Sequence, residues 1–128
     1  MMLDISKRPA NSDALIRVYK TECHLNGKAA ALLGLHASTE MVRFTYDNDE
    51  LRCGRMRVYV CKCDVNTPRA YEARRFGRSY RVYSTDVCSA LAEKLEGHGT
   101  YRVCPEVTKT DGSRTYYEIF FKKFEQCQ

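Results

Sequence analysis

Residues 25–35 have the sequence LNGKAAALLGL, which carries the start and stop signals of a short helix. Asn26 is a favourable N-cap, because its side-chain oxygen can accept a hydrogen bond from a free N–H of the first turn. Gly34 can adopt the left-handed conformation that closes the last turn. These signals predict a helix over about residues 26–34. Because a helix of two turns is unstable alone, its leucines must pack against neighbouring strands.

Alternating apolar and polar residues predict those strands on both sides of the helix. One strand precedes it at residues 15–20, LIRVYK, and two follow it at residues 41–46, MVRFTY, and 56–60, MRVYV. The polar residues 47–50, DNDE, predict a turn between the last two strands. The first half of the chain is therefore expected to form a strand, a helix and a hairpin.

The second half of the chain has a similar order. Residues 79–88, SYRVYSTDVC, echo residues 15–23, LIRVYKTEC, with Arg-Val-Tyr and Thr-acid at the same offsets. Thr85 is the predicted N-cap of a second helix over about residues 85–96, and Asp111-Gly112 predicts a hairpin between two final strands. The echo is consistent with a degenerate duplication and also with chance in a short pattern.

Together these patterns predict an α+β fold of mostly antiparallel strands with two short helices, at about residues 26–34 and 85–96. Strong turn signals separate the predicted strands. Two similar β-α-β-hairpin halves would cover about residues 15–63 and 79–124, joined by a basic connector at residues 64–78.

Length and composition indicate one folded domain. The chain has 128 residues, of which 44% are hydrophobic, enough to bury a single core. Polar residues predict a flexible tail at residues 1–14 before a single domain at residues 15–128. No apolar run approaches the roughly 20 residues needed to span a bilayer, and the N-terminus lacks the apolar region of a signal peptide. We therefore expect a cytoplasmic protein that has no membrane partner.

Seven cysteines raise the alternatives of a disulfide scaffold and a metal site. The odd number, the lack of an export signal and the lack of a Cys-x2-Cys pair argue against both. Cys61 and Cys63 share one strand face and, with Cys53, could bind zinc, whereas reduced thiols packed as small apolar side chains are the favoured interpretation. We predict no metal and no cofactor.

Motifs of the common enzyme classes are missing from the sequence. It contains no phosphate-binding glycine loop, no HExxH and no recognisable spacing of Ser, His and Asp or of Cys and His. Arginines near Cys53 and Cys61 favour thiols of lowered pKa, but a nucleophile without a base and an oxyanion site does not make a catalyst. We predict that the protein is not an enzyme.

Positive charge is concentrated between Arg52 and Arg81. This stretch contains nine arginine or lysine residues and two acidic residues, a net charge of +7, whereas the whole chain carries only +5. Arginine forks bind phosphate oxygens, so we predict nucleic-acid binding through this stretch. The candidate contact residues are arginines on a predicted strand and in the connector: Arg55, Arg57, Arg74, Arg75 and Arg78.

The alternative is a non-enzymatic module that binds another protein. The chain contains nine tyrosines besides its arginines, and both residue types are common at protein interfaces. Strong salt dependence of nucleic-acid binding would favour the first interpretation over the second.

Residues 15–62 resemble the swapped-hairpin AbrB family of bacterial transcription regulators. The resemblance covers a strand, a polar turn, a strand end, a two-turn helix and a following hairpin. His24-Leu25-Asn26 lies where the family usually has two aliphatic residues and a proline, and Leu33-Gly34-Leu35 matches the family's helix ending. Glu40 takes the place of the family's acidic residue.

This resemblance implies a DNA-binding transcription regulator. In such regulators the strand and turn before the helix contribute to the DNA face, which adds Arg17 and Lys20 to the candidate contact residues. The resemblance also implies intertwined hairpins from the two chains of a homodimer. Two similar halves could make the same contacts within one chain, as an internal pseudo-dimer.

Overall fold

The computed structural model of the chain describes residues 13–52 and 55–124, except for the side chains of residues 48–52, 55, 56 and 107. Of the predicted tail, residues 1–12 lie outside the described residues, while Ala14 is buried. The elements in chain order are β1 (Leu15–Val18), β2 (Glu22–Leu25), α1 (Gly27–Leu33), β3 (Thr39–Arg52), β4 (Arg55–Cys63), β5 (Tyr71–Phe76), β6 (Ser79–Tyr83), α2 (Thr85–Lys94), β7 (Gly99–Asp111) and β8 (Arg114–Lys123).

The strands pair in antiparallel fashion and close into a barrel in the order β1-β2-β6-β5-β3-β4-β8-β7, with β7 pairing back to β1. Alternate residues point inward and form the core, including Ile16, Leu25, Val60, Val82 and Val103. Antiparallel strands and two short helices are present, but the predicted α+β class is wrong. Alternation indicates which residues of a strand are buried, but it does not indicate which strands become neighbours.

The two halves of the barrel have the same order of elements. Residues 15–63 form β1-β2-α1-β3-β4, and residues 71–123 form β5-β6-α2-β7-β8. By this order β1 corresponds to β5, β2 to β6, β3 to β7 and β4 to β8. If each strand is exchanged for its counterpart, every pair of neighbouring strands in the barrel is again a neighbouring pair. The halves are joined through the pairs β1–β7, β2–β6, β3–β5 and β4–β8. The barrel is therefore an internal pseudo-two-fold arrangement.

The predicted β-α-β-hairpin halves are wrong because the connector at residues 64–78 contains β5. The second half therefore begins one strand earlier than predicted. The echo between residues 15–23 and 79–88 aligns β1 and β2 with β6 and the start of α2, which are not structural counterparts. The predicted turn at residues 47–50 is also wrong, because β3 continues to Arg52 with a register shift against β4 after Asp47.

Helix α1 has the predicted caps. The Asn26 side-chain oxygen accepts hydrogen bonds from the Ala29 N–H at 2.9 Å and the Leu15 N–H at 3.0 Å, and its amide donates to the Asp13 carbonyl at 2.9 Å. Gly34 has a left-handed φ of 80° and ends the helix. Asn26 therefore caps α1 and also ties the helix to the start of β1.

Helix α2 begins at residue 85, as predicted, but its N-cap lies one residue earlier than predicted. The N-cap is Ser84, whose hydroxyl accepts a hydrogen bond from the Val87 N–H at 3.2 Å, and Thr85 is the first helical residue. Val87, Cys88 and Leu91 are buried against the barrel. Within the described part of the chain, no helix is both long and apolar enough to cross a membrane.

Candidate nucleic-acid interface

Strands β1, β2, β6 and β5 lie side by side and place four basic or histidine side chains in one row on the outside of the barrel. Arg17 lies opposite His24, His24 opposite Arg81, and Arg81 opposite Arg74. Directly opposed residues of antiparallel strands lie on the same face with Cβ atoms about 5 Å apart. Their neighbours along the strands, such as Val18, are buried, so this row faces outward. We call these four residues the basic row.

Three aromatic side chains flank the basic row. Tyr19 is 42% exposed, Phe76 43% and Tyr83 53%. The Arg81 guanidinium carbon lies 4.3 Å from the centroid of the Phe76 ring, and the Tyr19 and His24 ring centroids are 4.8 Å apart. The basic row and these three aromatic residues together form a surface that we call the basic face.

Two acidic side chains reduce the positive charge of this face. The Glu22 carboxylate lies 2.7 Å from His24 Nε2, and the Glu72 carboxylate accepts a hydrogen bond from Arg74 Nε at 2.6 Å. This hydrogen bond raises the pKa of the Arg74 guanidinium. Arg81 Nε is buried and has no hydrogen-bond partner among the described residues. The row therefore contains one buried donor that no described group satisfies.

An open cleft extends the basic face beyond Arg17. It has a volume of about 390 Å³ and lies between the end of β1 and the start of β7. Arg17 and Lys20, the two residues that the AbrB-like resemblance adds, both line it, together with Tyr19 and His98. Through Lys20 and His98, the cleft adds further hydrogen-bond donors at the edge of the basic row.

The structure separates the three arginines of the predicted connector. Arg74 belongs to the basic row, and Arg78 is exposed in the turn between β5 and β6. Arg75 instead supports the connection between α1 and β3: its guanidinium donates hydrogen bonds to the carbonyls of His36 at 3.1 Å and Gly77 at 2.8 Å. Arg75 therefore has a structural role that its place in the sequence does not indicate.

Glu40 also stabilises the connection between α1 and β3. Its carboxylate accepts hydrogen bonds from the backbone N–H groups of His36 and Ala37, both at 2.9 Å. Burial raises the pKa of this carboxyl group, but the two hydrogen bonds and the nearby Lys62 ammonium outweigh burial and lower the pKa below its ordinary value. The loop at residues 36–38 is therefore fixed beside β5.

Arg55 and Arg57 lie on β4, which is separated from β5 by β3 in the barrel. Arg57 is opposite Asp47, and the side chain of Arg55 is outside the described set. Tyr59, which alternation places on the same strand face, is 3% exposed and packs with Cys61 and Tyr116. These two arginines therefore do not join the basic row.

Sequence reasoning missed two members of the row, His24 and Arg81. Arg81 belongs to the basic stretch, but residues 17, 24, 74 and 81 are too far apart in sequence to indicate a common row. Their alternation with buried neighbours was the available signal that each side chain points outward. Only the pairing of four strands shows that they lie together.

Neither Cys61 nor Cys63 has an activated thiol. Burial raises the pKa of Cys61 and of Cys63, so the predicted lowering at Cys61 is wrong. Cys53, the third residue of the zinc alternative, lies outside the described residues. Within residues 13–52 and 55–124, no group of three or more His, Cys, Asp or Glu side chains could hold a metal ion.

No protein-family model matches this sequence, and comparisons with curated proteins and with solved structures also found no match.

Proposed function

We propose that this protein is a non-enzymatic nucleic-acid-binding protein that contacts phosphates through the basic face. The main support is the register that aligns Arg17, His24, Arg81 and Arg74 across four strands. Neighbouring strands are about 4.8 Å apart, so this row extends for roughly 14 Å. Three arginines over that length can neutralise several phosphates of one nucleic-acid backbone.

DNA is the predicted ligand, and transcription regulation the predicted role, because residues 15–62 resemble AbrB-like regulators. A cytoplasmic location belongs to the same proposal. Homodimer formation stays a prediction of that resemblance. Open strand edges would also favour a dimer, because they can pair with a second chain. The closed barrel weakens that argument, because each strand is paired on both sides over part of its length.

Protein binding is the second candidate function. The pairing of Glu22 with His24 and of Glu72 with Arg74 favours it, because these acids repel phosphates. Exposed tyrosine, phenylalanine and arginine are also typical of protein interfaces.

Salt-dependent binding of labelled oligonucleotides distinguishes the two functions. Neutralising three phosphates gives a slope of about −2.1 to −2.7 in log affinity against log salt, so affinity should fall roughly 20- to 40-fold between about 50 and 200 mM salt. Arg17→Glu should weaken binding to all sequences alike, because phosphate contacts carry no base information.

Arg69→Glu is the matched control. Arg69 is exposed in the loop between β4 and β5, away from the basic row, and its replacement changes the net charge by the same amount. If the wild-type protein binds no oligonucleotide at low salt, or if both variants weaken binding equally, phosphate contact by the basic face is refuted.

A further inference from the structure

We infer that the ligand of the basic face is single-stranded nucleic acid, with bases stacked on Tyr19, Phe76 and Tyr83 and phosphates bound by the basic row. This assignment of ligand class rests on the proposed nucleic-acid binding. It differs from the regulator resemblance, which implies that DNA is recognised through the strand and turn before the helix.

Exposed aromatic rings are concentrated on this face. Among the described residues, the large hydrophobic side chains that remain exposed are Tyr19, Tyr46, Val65, Phe76 and Tyr83. Three of the four rings in that group flank the basic row. Because burying such rings is favourable, their shared exposure on one side of the barrel marks this side as a binding surface.

The register gives these rings an order suited to stacking. Glu22 lies opposite Tyr83, and the Tyr19 N–H bonds to the Glu22 carbonyl at 3.0 Å, so both tyrosines lie on one side of the basic row. Phe76 lies opposite Ser79 on the other side. Successive outward residues of a strand are about 7 Å apart along the backbone, so each ring is attached about one such step from the basic row.

The form of the nucleic acid follows from what these groups can contact. In a duplex the base faces are covered by their neighbours, and only the base edges are accessible in the grooves. In a single strand the base faces are free to stack on aromatic side chains, while a basic surface follows the backbone. Arg81 already stacks on Phe76, which extends the planar surface that a base could meet.

The charge balance points in the same direction. Arg17, Arg74 and Arg81 are opposed on the same face by Glu22 and Glu72. Phosphate attraction alone is therefore modest, and stacking must supply a large part of the affinity. Duplex binding that depends mainly on phosphate contacts would be disfavoured by the two carboxylates.

Fluorescence anisotropy tests the ligand class with the full chain and three labelled probes of one mixed sequence: a DNA single strand, the matching RNA single strand, and the DNA duplex. The expected result is tighter binding of either or both single strands than of the duplex. Comparison of the two single strands then shows whether the protein prefers DNA or RNA.

Two variants test stacking. Tyr83→Ala and Tyr19→Ala should each weaken single-strand binding by about 5- to 150-fold, the range that corresponds to one lost base–aromatic stack. Tyr83→Phe should restore most of the affinity, because it keeps the ring. Both tyrosines are exposed, so thermal unfolding of the variants should match that of the wild type.

Tyr46→Ala is the matched control. Tyr46 is 51% exposed on β3, off the basic face, and its ring lies 4.1 Å from Lys94 Nζ. Its loss should leave single-strand binding unchanged.

Three outcomes would overturn the inference. Tighter duplex binding that Arg17→Glu weakens and Tyr83→Ala does not would refute single-strand stacking and leave the proposed phosphate contact in place. Equal losses from Tyr46→Ala and Tyr83→Ala would refute the location on this face. If no probe binds at low salt, the inference and the proposed function both fail.

Discussion

Replacing Asn26 with alanine should destabilise the fold far more than replacing an ordinary partly exposed polar residue. The side chain caps α1 through Ala29, accepts a second hydrogen bond from Leu15 and donates a third to Asp13. It therefore joins the helix start to the first strand of the barrel. Alanine would remove all three contacts and leave part-buried backbone groups without partners.

The expected magnitude follows from these contacts. Loss of an N-cap costs about 1 kcal/mol, and each further hydrogen bond contributes about 0.5–1.5 kcal/mol. The free energy of unfolding should therefore fall by about 2–4 kcal/mol, a large fraction of the roughly 5–15 kcal/mol of a typical domain.

Two further variants separate the capping role from the bridging role. Asn26→Ser keeps a capping oxygen, but serine is too short to reach both Leu15 and Asp13. Asn26→Asp keeps the two acceptor contacts and replaces the donor to the Asp13 carbonyl with a repelling oxygen. Both should be less stable than the wild type and more stable than Asn26→Ala.

Urea unfolding monitored by circular dichroism measures these differences directly. The midpoint should decrease in the order wild type, then serine and aspartate variants, then alanine variant, with an unchanged slope. A loss below about 0.5 kcal/mol for Asn26→Ala would refute the bridging role, because it would be no larger than the effect of a typical surface substitution.

Further predictions concern the loop at residues 36–38, the connector arginines and the assembly. Because its folded-state pKa is lowered, Glu40 contributes stability that is complete above its ordinary pKa of 4.5 and is lost as the pH falls below that value. Glu40→Gln should therefore reduce stability near neutral pH by about 1–2 kcal/mol and remove this part of the acid sensitivity in urea titrations at several pH values. Arg75→Ala should lower the free energy of unfolding by about 1 kcal/mol through the lost bonds to His36 and Gly77, whereas Arg74→Ala should leave it unchanged; equal effects would contradict the separation of their roles. Light scattering across micromolar concentrations tests the predicted homodimer: a mass close to 14.8 kDa would leave the pseudo-two-fold barrel as the assembled form.

Local structure could be predicted from the sequence where it depends on a few adjacent residues. Helix α1 is one such case, because Asn26 and Gly34 have chemical reasons to begin and end a helix wherever it packs. The alternation in β1 and β4 likewise indicates strands, and the Asp111-Gly112 hairpin follows from its turn residues.

Only the tertiary structure decided how the strands meet. Backbone hydrogen bonding between strands is independent of side-chain identity, so alternation did not show that β2 pairs with β6 or that β7 closes onto β1. For the same reason, the sequence identified Arg17 and Arg74 as separate basic residues, while their alignment with His24 and Arg81 depended on the register of four strands. The basic face is a product of barrel closure, because it assembles outward-facing residues from both halves of the chain.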